Sequence, residues 1–202
     1  MRFSVKAKLA SAFGVIIVLS AVAGGVAYTR LSDMAATTEW LTSAAGRMDR
    51  TSDLQKSILM QIRAEKNAIL AISESDNERF ASQVKAERAA LMSKKDELYG
   101  LATENGKKLL DKFADLYAKM NVAQDETLRL IKVDKAKATE HSTNEGLKVA
   151  TQALQSLEDY VAFLKKSIAD RSEQAREDGA HAQLLVLSLV LASLVIAVGA
   201  AF

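Results

Sequence analysis

The chain has 202 residues, of which 49% are hydrophobic, 26% charged and 5% aromatic, with nine glycines and neither proline nor cysteine. Ordinary chains carry about 5% proline, so turn punctuation is scarce, which argues against a β-sandwich or barrel and for a few long helices. The missing cysteines exclude a disulfide framework, a thiolate zinc site and a cysteine nucleophile, and a net charge of +2 gives no case for nucleic acid.

Residues 1–8 form a short basic N-terminus carrying Arg2, Lys6 and Lys8. Leu9 to Thr29 is a run of 21 residues without a charge. About 20 apolar residues cross a bilayer as a helix, and the run exceeds the roughly 7–15 residues of a signal-peptide core. It is therefore expected to be a retained transmembrane helix at 9–29. Within it, Ser20 and Gly24, and Ala21 and Gly25, make two overlapping small-xxx-small pairs that let helices approach closely in lipid. These four residues are the expected dimer interface of the span. Tyr28 suits the aromatic belt, and Trp40 lies further out, as a bundle or dimer contact.

From Arg30 the period is helical and strand alternation is absent. The first bundle helix runs to Ile72, with Leu54, Ile58, Ile62, Ile69 and Ile72 on one face. The polar cluster Ser73-Glu74-Ser75-Asp76-Asn77 is the first break. A second helix is expected from about Glu78 to Glu104, with Phe80, Val84, Leu91, Leu98 and Leu101 on one side. Asn105-Gly106, a strong turn dipeptide, is the second break. The third helix is expected from about Lys107 to Glu140, and the polar run His141–Gly146 is the third break. In the fourth helix Leu147, Ala150, Leu154, Leu157, Val161, Leu164 and Ile168 alternate spacings of three and four, a heptad seam. It leads through Arg171–His181 into a second uncharged run of 21 residues, Ala182 to Phe202. The fold class is all-α: an antiparallel up-down-up-down four-helix bundle at 30–181, between transmembrane helices at 9–29 and 182–202.

Charge sets the expected orientation. The basic N-terminus has no acidic residue to offset it, whereas 30–181 holds all 25 acidic residues against 24 basic ones. The positive-inside rule then puts the N-terminus in the cytoplasm and the bundle outside, in the periplasm beyond a bacterial inner membrane, with lipid around both spans. A span that stops at its own edge at Phe202 implies that a cytoplasmic region follows it.

Catalysis fits poorly. No Gly-rich phosphate loop or HExxH occurs, and neither histidine stands beside a nucleophile pair. His141 falls in an expected turn and His181 next to the second span. Neither has the Glu-x-x-His spacing of a di-metal bundle. No enzyme activity, metal or cofactor is expected.

A small-molecule site needs a cleft and a few convergent polar groups. Arg63, Lys66 and Asn67 stand at i, i+3 and i+4 and share one helix face, suited to a carboxylate or other anion that arginine grips bidentately. Counting down from the tip by equal rise places Arg63 level with Ser156, so Gln152, Gln155 and Asp159 are its expected neighbours. The plainer reading of the same face is a solvated surface with helix-stabilising charge pairs. Arg47 and Arg50 make a second, weaker cationic pair lower on this helix.

With these elements in place, the chain resembles the sensory portion of a bacterial methyl-accepting chemotaxis protein of the four-helix-bundle class. The topology carries the resemblance, together with Arg63-Ala64-Glu65-Lys66-Asn67-Ala68-Ile69-Leu70 and Asn144-Glu145-Gly146-Leu147. The resemblance implies a parallel homodimer, a ligand bound at the dimer interface between first and fourth helices, and a piston-like shift of the fourth helix and second span. It implies that a first-helix arginine, here Arg63, holds a ligand carboxylate. It also implies a HAMP linker, methylated helices and a tip that binds a chemotaxis adaptor and kinase, all after Phe202. The expected function is a transmembrane chemoreceptor that senses a periplasmic small molecule and relays a helix shift to a region controlling that kinase. The alternatives are a structural or partner-docking spacer, or the sensor portion of a histidine kinase or cyclase.

Overall fold

A computed structural model describes residues 5–201; residues 1–4, with Arg2 of the basic N-terminus, and residue 202 lie outside the described residues. Among the described residues there is no strand. The order is α1 (Val5–Leu70), α2 (Glu74–Leu101), α3 (Glu104–Ile131), α4 (Lys135–His141), a π-helical turn (Ser142–Gly146) and α5 (Leu147–Ala201). The helix resumes on both sides of the π turn without a loop, so α4, the turn and α5 are the fourth helix of a four-helix fold. The chain divides into two compact units, 43–166 and 1–42 with 167–202.

Unit 43–166 is the bundle. Capping residues set its helix ends. Ser73 opens α2 by accepting from Asp76 N at 3.1 Å, and α1 stops at Leu70, so Ile72 lies beyond the helix and is fully exposed rather than on the apolar face. The second break falls at Ala102-Thr103, not at Asn105-Gly106. Thr103 Oγ1 accepts from Gly106 N at 3.3 Å and draws both residues of the dipeptide into the first turn of α3. Gly106 serves packing there: a Cβ would stand 3.2 Å from Tyr160 Cε2.

The third break is corrected in the same way. α3 ends at Ile131, nine residues before the expected end, and the chain turns at Lys132-Val133. Asp134 Oδ1 accepts from Ala136 N at 3.0 Å and Lys137 N at 3.2 Å and restarts the helix. The polar run His141–Gly146 is thereby helical. Thr143 Oγ1 donates back to Thr139 O at 2.8 Å, and the run is accommodated as a π turn instead of a loop.

Leu54, Ile58, Leu91, Leu98, Leu110, Phe113, Tyr117, Leu157 and Leu164 form the main core. Burial of each large apolar side chain stabilises the fold by about 1.5–3 kcal/mol. A smaller cluster of Ala68, Ile69, Ile131 and Ala138 closes the tip. The α5 seam divides. Ala150, Leu157 and Leu164 are buried with Ala153 and Tyr160, Leu154, Val161 and Ile168 are half-buried, and Leu147 is exposed.

In the other unit, α1 and α5 each contain a window long and apolar enough to cross a membrane, and none of either window is buried within the protein. Arg30 lies 3.6 Å from Asp33 and 3.9 Å from Asp178. The Arg171 guanidinium stands 5.8 Å from the centre of the Trp40 ring, so Trp40 is a cation–π contact of this unit. Ser20, Ala21, Gly24 and Gly25 are exposed, and a Cβ at either glycine would meet nothing within 4 Å.

Candidate functional site: a polar node under the π turn

Heptad spacing on α1 and α3 places polar side chains where apolar ones are usual. On α1 the buried stripe is Arg47, Thr51, Leu54, Ile58, Gln61, Glu65 and Ala68; on α3 it is Phe113, Tyr117, Met120, Gln124, Thr127 and Ile131. Both stripes carry polar side chains in their outer half, Gln61 and Glu65 on α1 and Gln124 and Thr127 on α3, and α1 also buries Arg47 and Thr51 at its other end. Buried polar groups are costly unless bonded, so their partners define the site.

Gln61 Nε2 donates to the Tyr117 hydroxyl at 2.8 Å across the core. Burial pushes the Tyr117 hydroxyl above its ordinary pKa, with the Gln61 bond opposing the shift. One level outward, Arg88 on α2 forks onto Asp125 at 3.0 and 3.2 Å and donates to Asn121 O and Gln124 Oε1, each at 3.4 Å. At the π turn, the Ser142 hydroxyl donates to Glu65, and Lys66 Nζ donates to Ser142 O at 3.1 Å and Ser142 Oγ at 2.5 Å. Adjacent residues of α1 thus hold one serine between a carboxylate and an ammonium. Thr127 Oγ1 donates to Ala123 O at 3.1 Å and lies 3.0 Å from His141 Nδ1.

The residues expected to gather around a ligand do not converge within one chain. Arg63 is exposed and Asn67 half-buried on α1, while Lys66 is turned onto Ser142. Gln152 is exposed, and Ser156 Oγ bonds to Ala153 O in its own helix at 2.7 Å. Asp159 accepts from Lys112 at 3.1 Å and from Gln155 at 3.4 Å, bonds that hold its carboxyl below the usual range. The level assignment was offset because the fourth helix begins at Lys135. Its tip extends about a dozen residues beyond the expected start, so α1 near Arg63 meets the π turn and not Ser156.

Arg47 is structural. It is buried and donates to Leu101 O at 3.4 Å and Ser43 Oγ at 3.0 Å, a cation at the C-terminal end of α2. Arg50 is exposed and bonds Gly46 O in its own helix at 3.3 Å.

A family profile described as a four helix bundle sensory module for signal transduction matches residues 2–178. The chain belongs to this family. The match spans α1 to α3, the π turn and most of α5, so the sensory module of methyl-accepting chemotaxis proteins accounts for both the bundle and the first apolar run. No curated protein and no solved structure matches the chain. Glu65, Gln124 and Ser142 were missed in the sequence, although a polar residue at a heptad core position is a readable signal.

Proposed function

We propose that this sensory module is the receptor part of a transmembrane chemoreceptor. It binds a periplasmic small molecule and passes a helix displacement across the inner membrane to a cytoplasmic region that controls a chemotaxis kinase through an adaptor. The module itself performs no chemistry. The observation that carries this reading is the family match over a chain whose two membrane-competent helices are continuous with the first and fourth helices of a bundle. A ligand that prefers one of two packings of those helices shifts their populations.

The working unit is a homodimer. Leu147, Leu154 and Val161 recur every seven residues on α5 at positions its own bundle leaves exposed or half-buried, and Gly24 and Gly25 leave open space on the first span. A second copy supplies what one chain lacks at the ligand site. Exposed Arg63 and half-buried Asn67 of one protomer face the start of α5 of its partner, the level of the Lys66–Ser142 bonds, and Arg63 holds an anionic group.

Titration calorimetry of the full chain in lipid nanodiscs against a panel of small metabolites tests the reading. A saturable ligand whose affinity falls at least about tenfold in Arg63→Ala is expected, the loss of one charge-assisted bond or more. Binding that survives Arg63→Ala unchanged would remove the assigned site. The second reading, docking of a partner protein, is favoured by the fully exposed Ile72 with exposed Leu70 and Val133 beside the tip turns. A panel without any binder, with a protein captured in a manner sensitive to Ile72→Ser, would select it.

A further inference from the structure

The polar node contains one feature that the sensory reading does not use. Beneath the π turn lies a cavity of about 30 Å³, walled by Glu65, Lys66, Gln124 and Ser142 on its polar side and by Ile62, Met120 and Ala150 on its apolar side. Gln124 is 2% exposed and Glu65 5%. Gln124 Oε1 accepts from Arg88, but among the described residues its Nε2 has no hydrogen-bond partner. A buried amide donor without a partner is uncommon in folded proteins and marks an occupant or a cost. The space matches one water molecule, and the walls offer the polar partners that a buried water requires.

We propose that this node is a hydrated joint: one water bridges Gln124 Nε2 to the Glu65 carboxylate, and the π turn above it is where the fourth helix changes its winding. The turn is tied to α1 through a single residue. Ser142 O accepts from both Leu147 N–H and Lys66 Nζ, while its hydroxyl reaches Glu65. A π turn is one extra residue held inside a helix, and such turns recur at functional places. Gly146 ends it, and a Cβ there would find only ordinary contacts, 3.5 Å from His141 O and 3.8 Å from Glu65 Oε1. Below the joint, Ala153, Leu157, Tyr160 and Leu164 are buried. Water at the node offers exchangeable bonds when the turn rewinds, whereas a packed core permits no intermediate arrangement.

Hydrogen–deuterium exchange on the full chain in nanodiscs tests the joint, with residues 153–164 as the internal standard. Amides of 142–150 are expected to exchange at least about tenfold faster than those of 153–164, as local opening requires. Gly146→Ala should slow the first segment alone, because alanine narrows the backbone freedom of the turn. Gln124→Met decides the water. A lost bridge speeds exchange at 142–150, whereas a methionine filling a dry void slows it. Equal protection of the two segments in the native chain, slower exchange in Gln124→Met, or a change shared equally by both segments would each overturn the proposal.

Discussion

The two ends of the bundle follow the same heptad spacing but contain different chemistry. Toward the Ala102 turn, α1, α2, α3 and α5 meet mainly through the apolar side chains Leu54, Leu91, Leu98, Phe113 and Leu157, with buried Arg47 and Thr51 at the edge of this end. Toward the tip, the equivalent positions are Gln61, Glu65, Gln124 and Thr127, and their contacts are directional bonds around a small cavity. Apolar packing tolerates no gap and supplies stability. Polar packing supplies less net stability per contact, because each bond replaces one to water, but its partners can be exchanged. A sensor needs both: a part that holds the helices together and a part whose arrangement a ligand can bias.

The comparison breaks most directly at Phe113. It is fully buried and stacks on Tyr117 with ring centroids 5.6 Å apart. Phe113→Ala should lower unfolding stability by about 3–5 kcal/mol, the transfer loss plus the cavity left behind. Urea denaturation followed by circular dichroism measures it. A loss under about 1 kcal/mol would mean that the packed half is as adaptable as the polar half.

An intermediate effect is expected at Asp134, which starts the fourth helix by accepting from Ala136 and Lys137. Asp134→Ala should cost about 1 kcal/mol. The loss should appear first as faster amide exchange in 135–141, where the cap acts, and not in 153–164. Uniform loosening of the whole fourth helix would show that the tip and the core form one cooperative unit.

How much of this was legible depended on the kind of signal. Apolar periodicity located all four helices and much of the core, because residues such as Leu54, Ile58, Val84, Leu91, Leu98 and Leu157 must be buried wherever their helix packs. Helix boundaries were less legible. Asn105-Gly106 has the composition of a turn, yet Gly106 is small because Tyr160 packs over it. His141–Gly146 is polar for a different reason: Ser142 is engaged by Glu65 and Lys66 from α1. In both places a tertiary contact used residues that local chemistry alone assigns to a loop. The wrong start of the fourth helix then displaced the ligand level, since counting by rise carries an error at the tip along the whole helix. Glu65 lay inside the stretch that carried the family resemblance, but only its burial shows that it faces the π turn.

The smallest effect is expected on the surface of the packed half, and it sharpens the contrast from the other side. Asp159 is half-buried, and its bonds to Lys112 first and Gln155 second lower its pKa from the ordinary 3.8. A depressed carboxyl in the native state binds fewer protons than in the unfolded chain. Its contribution is therefore present above the unfolded pKa and is lost as pH falls through the native one. Lys112→Gln removes the first cause, so the Asp159 pKa should rise toward 3.8 and the acid-side loss of stability should shrink. At neutral pH the variant should cost no more than about 1 kcal/mol, as for exposed pairs in general. Thermal unfolding of the variant and the native chain from neutral to acidic pH measures both. A neutral-pH loss as large as that of Phe113→Ala would place structural weight on this pair. Asp159 would then be committed to holding α3 against α5.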